Sequence, residues 1–185
     1  MMTGNSFPEL TIVIPAYNAE KHLARSINSV LKQTCRNVEL ILVDDGSTDE
    51  TAARAREFLR SADFPWRVYS QENAGVSNAR NIGIELSKGK FIHFLDSDDE
   101  IREEFVEKML NEAQTSDSDI TICGQENVVD FRETPQAIFN CFPEDNRNDS
   151  FSNNFHLIVD VLFSRLALST SSIILRKEFL SESNL

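Results

Sequence analysis

The sequence predicts an α/β fold, a mostly parallel sheet with helices on both faces. Three observations carry that reading. Short β-branched runs alternate with stretches of helical spacing through roughly the first hundred residues. The runs are almost continuously apolar, the pattern of strands buried on both faces. Polar clusters recur where those runs end, and open α/β sheets bind ligands beyond the carboxyl ends of their strands.

Leu10-Thr11-Ile12-Val13-Ile14 is the first expected strand, stopped by Pro15. Ala19 to Gln33 has helical spacing, with Leu23, Ile27, Val30 and Leu31 on one face. Val38 to Val43 is the second strand, ending at Asp44-Asp45-Gly46. Ser47 and Glu50 fit a capping box that opens a helix to about Arg60. Trp66 to Ser70 reads as the third strand, Ser77 to Ser87 as a helix closed by Gly89, and Lys90 to Leu95 as the fourth strand. Ile101 to Gln114 is a helix turning Phe105, Met109, Leu110 and Ala113 inward, and Asp119 to Cys123 is a fifth strand. After Cys123 the pattern loosens. Glu126 to Phe131 and Gln136 to Phe142 fit a hairpin or flap, Pro143 to Asn154 a polar loop, and Phe155 to Ser164 a helix. Ser171 to Leu175 reads as a strand and Lys177 to Leu180 as the start of a helix.

Composition narrows the function. Thirty acidic residues against eighteen basic ones give a net charge of −12 over 185 residues. Nucleic-acid backbone binding needs a basic footprint, so it is excluded. An anionic ligand is not, because a metal ion reverses the local sign. Cys35, Cys123 and Cys141 are scattered, with neither zinc spacing nor a disulfide framework, and read as reduced thiols. No apolar run approaches the ~18 residues of a membrane span, and Met1 to Glu9 shows no signal-peptide pattern.

The sharpest feature is Phe91 to Asp99, an apolar strand that runs into Asp96-Ser97-Asp98-Asp99. Carboxylates this close repel one another, and a divalent cation relieves that. Hard oxygen ligands suit Mg²⁺ or Mn²⁺, which leave positions open for substrate phosphates. An acidic helix cap is the plainer alternative. Asp44 can accept from an imide N–H or a ribose hydroxyl, while Asp45 and Ser47 serve the turn. Tyr17, beside Pro15 and Asn18, offers a flat ring for stacking. Between Asn73 and Asn81, Gly75 suits close backbone approach, and Arg80 can face a diphosphate or pair with the Asp cluster. Neither a P-loop nor G-x-G-x-x-G occurs, which counts against nicotinamide and flavin enzymes. His22, His93 and His156 have no metal spacing, and His93 reads as a core residue.

Taken in order, these motifs resemble family 2 glycosyltransferases of the GT-A fold. They are Ile14-Pro15-Ala16-Tyr17-Asn18, Val43-Asp44-Asp45-Gly46-Ser47-Thr48-Asp49, Asn73-Ala74-Gly75-Val76-Ser77-x-Ala79-Arg80-Asn81-x-Gly83, and Phe94-Leu95-Asp96-Ser97-Asp98-Asp99. The resemblance implies a Rossmann-like sheet and a cytoplasmic protein, with peripheral contact at the inner face of the membrane left open. Its partners would be a nucleotide-sugar donor, UDP-linked by family expectation, and a saccharide or lipid-linked acceptor in polysaccharide biosynthesis. Pro15, Tyr17 and Asp44 would line the uracil and ribose pocket. Arg80, Gly75 and Asn81 would shape the nucleotide side, and Asn18, Asp45, Asn73 and Asp96 would be further nucleotide-binding residues. Asp96 and Asp98 would form the metal motif for Mn²⁺ or Mg²⁺, with Asp98 the direct ligand. The transfer would invert the anomeric centre, with a carboxylate base on the acceptor hydroxyl. In the family that base belongs to a Glu-Asp motif after a segment like Ser169 to Leu180. Glu144-Asp145 comes too early, so the base is expected beyond Leu185. The implied organisation is a flexible start over residues 1–9, a donor-binding unit over 10–123, and part of an acceptor-side region over 124–185. A non-catalytic nucleotide-sugar-binding or assembly module stands as the alternative. A receiver-like domain and a sugar nucleotidyltransferase rank lower, because Pro15-Ala16-Tyr17-Asn18 is neither an acid pair nor a basic Gly-rich loop.

Overall fold

A computed structural model describes residues 7–123 and 170–182. Four strands form the expected parallel core: β1 (Leu10–Ala16), β2 (Val38–Asp44), β3 (Trp66–Ser70) and β4 (Phe91–Phe94). They alternate with α1 (Leu23–Leu31), α2 (Thr51–Leu59) and α3 (Val76–Leu86). Then come α4 (Phe105–Thr115), β5 (Ile120–Ile122), a 3₁₀ turn (Thr170–Ser172), β6 (Ile173–Arg176) and α5 (Lys177–Glu182). The readings made for residues 124–169 lie outside the described residues.

The strand order is β3-β2-β1-β4-β6-β5. The chain winds outward from β1 to β3, then returns to place β4 on the other side of β1. That reversal puts the switch point between β1 and β4, where open α/β sheets leave a crevice for ligand. One departure from the expected parallel run is topological. β5 does not join β4, because β6 inserts between them and runs antiparallel to both.

Every residue of β1 and β2 is buried. Leu10, Ile12 and Ile14 pack with Leu23, Ile27 and Val30 of α1, Ala55 and Leu59 of α2, and Phe105, Val106, Met109 and Leu110 of α4. Val13, Ile41, Val43, Ile92 and Phe94 face the other way, onto Ala79, Ile82 and Leu86 of α3. Gly83 makes that second contact possible. A Cβ there would sit 2.3 Å from a Val13 methyl, so only glycine lets α3 lie this close to β1. Among the described residues no helix is long and apolar enough to cross a membrane.

Two local expectations are corrected. Pro15 does not stop β1, which continues to Ala16. Val13 O accepts the Leu95 N–H on the β4 side, and Ala16 O accepts the Asp45 N–H on the β2 side. By alternation the nitrogen of Pro15 faces β4 beyond its last paired residue, so the missing donor breaks no ladder bond. The capping box does not form either. Ser47 Oγ accepts the Asn18 N–H, and Asp49 Oδ1 takes the Thr51 N–H that opens α2. Asp49 sits below its ordinary carboxylate range despite opposing desolvation, because the Thr51 hydroxyl and nearby backbone N–H groups donate to it.

His93 is a core residue, as its place in a strand suggested. Its Nδ1–H donates to Ile173 O at 2.9 Å, and its ring packs 4.5 Å from that of Phe105. Full burial pushes its pKa down to about 4. Cys35 and Cys123 are free thiols, and burial raises Cys123 to about 11, which keeps it protonated and inert.

The folded state thus releases the His93 proton more readily than the unfolded chain does. Between about pH 6.5 and 4 the unfolded state binds more protons. Stability should be full above that window and fall by about 3 kcal/mol as pH drops to 4. Urea unfolding across this range will show the fall in wild type, superimposed on any carboxylate contribution. His93→Gln should lack the histidine part of the slope.

Candidate functional site

A cavity of about 300 Å³ opens at the carboxyl ends of β1 and β4, at the switch point. Pro15, Ala16 and Tyr17 enter it from β1, Asp45 from β2, Val76, Ala79 and Arg80 from α3, and Asp96, Ser97 and Asp98 from β4. A larger opening of about 560 Å³ lies between Phe7, Gly89 and Leu180, at the amino ends of β1 and β4. Sheets of this kind do not bind ligands at that end, so the smaller cavity is the candidate site.

The β2 end is built around Asp45, which is nearly inaccessible to solvent. Its Oδ1 accepts the Ala74 N–H at 2.9 Å and Gln71 Nε2 at 2.7 Å, and its Oδ2 accepts the Gly75 N–H at 2.8 Å. One carboxylate therefore holds the whole loop from β3 to α3. Gly46 locks the same junction from the other side. Its φ is +74°, and a Cβ would stand 2.7 Å from the Asn73 nitrogen. Gly75 also has positive φ, +90°, as the residue that caps α3. Asn18, at φ +49°, ties the β1 loop to the β2 loop by accepting the Thr48 N–H at 2.9 Å.

The β4 end is built around Asp96. Arg80 Nη2 donates to Asp96 Oδ1 at 2.8 Å, with both side chains partly buried, while the guanidinium lies 5.8 Å over the Phe94 ring. Arg80 thus pairs with Asp96 and also lines the cavity. Ser26 Oγ donates to the Asp96 carbonyl at 3.3 Å. Asp98 is exposed and faces the cavity, with no hydrogen-bond or ion-pair partner among the described residues.

The sequence-derived residues are thus partly gathered. Pro15, Tyr17, Asp45, Arg80, Asp96 and Asp98 line the cavity. Asn18, Asn73 and Gly75 form the loops beside it, and Asn81 is exposed on α3 away from the lining. Of the two adjacent acids, Asp45 lines the cavity. Asp44 is buried beneath it and accepts the Ser47 N–H at 3.1 Å. Sequence reasoning missed Ala16, Val76 and Ala79, small or apolar positions with no chemical signature, and Ser26, whose contact comes from 70 residues away.

This doubly wound sheet, with an acidic turn at its switch point, has the GT-A architecture. A model of glycosyl transferase family 2 matches residues 11–161, and the chain belongs to that family. It is similar to the glycosyltransferase GlyG of Streptococcus pneumoniae, 40% identical over 114 residues that make up 61% of this chain and 38% of that protein. Among solved structures it resembles a fragment of S. aureus TarS in complex with UDP. The TM-score is 0.71 at 26% identity, covering 95% of this chain and 49% of that one. A mannosyltransferase from Pyrobaculum calidifontis, in complex with GDP-Man and Mn²⁺, shares the fold at 17% identity, with a TM-score of 0.68 over 97% of this chain and 47% of that one. The chain therefore spans less than half the length of these relatives.

Asp45→Asn keeps the shape of the side chain but can set an NH₂ group against a backbone N–H. It should lower unfolding free energy by about 2 kcal/mol in a denaturant titration, because hydrogen bonds to a charged group are lost. Asp98→Asn, at a site exposed and unpartnered among the described residues, should change it by less than about 0.5 kcal/mol.

Proposed function

We propose that this chain forms the donor-binding part of an inverting glycosyltransferase that moves a sugar from a nucleotide diphosphate, UDP by preference, to a hydroxyl of a saccharide or lipid-linked acceptor. The observation that carries the proposal is the convergence on one cavity at the switch point of an aromatic ring, a buried acid, an arginine and a carboxylate unpartnered among the described residues. The UDP bound to the TarS fragment, a structure that this chain resembles, supports the nucleotide assignment.

Each end of the cavity has a separate task in this reading. Tyr17, about half exposed, presents a ring on which a base can stack, with Pro15 beside it. Asp45 Oδ2 accepts one N–H from the protein and keeps a second lone pair for a base or ribose donor. Arg80 brings positive charge toward the diphosphate while its ion pair fixes where Asp96 points.

Asp98, assisted by Asp96, fits a divalent cation of the Mg²⁺ or Mn²⁺ type. The donors are hard carboxylate oxygens, and those of Asp98 are unpartnered among the described residues at the cavity wall. Among the described residues no three His, Cys, Asp or Glu side chains converge to hold an ion by themselves. Diphosphate oxygens would complete the coordination, the usual arrangement for Mg²⁺. Such an ion supplies Lewis-acid stabilisation of the departing diphosphate. No described residue is assigned as the acceptor base, and Glu144-Asp145 lies outside the described residues.

Calorimetric titration of UDP into the purified chain tests this reading. Binding in Mn²⁺ should weaken at least tenfold with chelator, and Asp98→Ala should remove the metal dependence. Equal binding with and without the ion would sink the metal assignment, and no binding at all would sink the nucleotide assignment.

A further inference from the structure

Four carboxylates lie close together after β4: Asp96, Asp98, Asp99 and Glu100. Unrestrained, they would repel one another and present several competing ligands at the cavity mouth. The fold sorts them instead. Asp96 pairs with Arg80 at 2.8 Å, and Glu100 pairs with Arg25 at 2.7 Å. Asp99 Oδ2 accepts the Ser171 hydroxyl at 2.5 Å. Only Asp98 is left facing the cavity with no such partner among the described residues.

Ser171 touches this turn twice. Besides donating to Asp99, its Oγ accepts the Asp96 N–H at 3.4 Å, a long contact. A single hydroxyl can do both, with one proton to give and lone pairs to receive. It therefore brackets Asp98 from a point 72 to 75 residues away in sequence. The 3₁₀ turn that carries Ser171 is itself fixed. Ser172 O accepts the Cys123 N–H at 2.9 Å, Ile173 O accepts the buried His93 Nδ1–H at 2.9 Å, and β6 then pairs with β4.

We infer that Ser171 is a positioning residue for cation binding. It draws Asp99 away from the cavity and sets the Asp96–Asp99 turn so that Asp98 is presented without a second unpaired carboxylate beside it. The inference rests on the donor-site reading above. It predicts a selective effect. Without the hydroxyl, Asp99 loses its donor, a second unpaired carboxylate stands next to Asp98, and the turn loses its tie to Asp96. The metal end of the cavity suffers. The opposite end, where Asp45 is held by its own hydrogen bonds, does not.

The test titrates UDP into wild type, Ser171→Ala and Ser171→Thr, each in Mn²⁺ and in chelator. Ser171→Ala should weaken UDP binding in Mn²⁺ about tenfold, the scale expected when a supporting partner of a metal ligand is removed. In chelator its affinity should stay within about twofold of wild type, and Ser171→Thr should restore most of the loss. Near-isosteric Ser171→Cys, whose thiol is a weak donor, gives a second reading in case the alanine variant does not fold, and it should fall between alanine and threonine. Equal weakening with and without metal would mean a merely structural role and would overturn the inference. So would a Ser171→Ala protein that binds as wild type does while wild type shows metal dependence. Wild type with no metal dependence would overturn the donor-site metal reading as well, so the two failures are distinguishable.

Discussion

The parallel pairing of β1 with strands on both of its sides is the constraint on which the rest depends. β1 is wholly buried, with β2 in register along its length and β4 paired as far as Val13. Because β4 stops short, β1 runs on to Ala16 alone on that side, and the crevice opens there. Gly83 against Val13 sets the height of α3 over this junction, and so how far Arg80 reaches toward Asp96. A substitution at Gly83 would therefore act on the site through packing, with no functional side chain touched.

A second constraint is the handling of charge. A chain of net charge −12 gathers several of its acids around one cavity, and nearly all of them have assigned partners. Asp45 is held by two backbone N–H groups and Gln71, Asp96 by Arg80, Asp99 by Ser171 and Glu100 by Arg25. Buried or half-buried carboxylates require such partners. The exception, Asp98, stays in the fold at little cost because it is exposed.

Much of this was legible in the amino-acid order. The four parallel strands, the helices between them and the convergence of polar clusters all follow from periodicity: β1, β2 and β4 are buried throughout and leave unambiguous apolar runs, while β3, mostly exposed at the sheet edge, leaves a weaker one. The errors are local and physical. Pro15 looked like a stop because the strand-breaking rule assumes a ladder bond on that side, and none exists there. Ser47 and Glu50 matched a capping pattern, but Asp49 was closer to the N–H groups that needed a partner. Asp44 and Asp45 are adjacent and chemically alike, so no spacing rule could say which one the strand would turn toward the cavity.

The sequence by itself determined the fold class, the family and the loops that would hold the chemistry, since those depend on residue type and local spacing. Only the tertiary structure decided which carboxylate is presented and which are held. It also showed that β6 enters the sheet between β4 and β5, bringing Ser171 against a turn more than seventy residues earlier. The physical reason is the same in each case. A hydrogen bond or ion pair between distant segments leaves no periodic trace in either one, and it exists only once the sheet has brought their ends together.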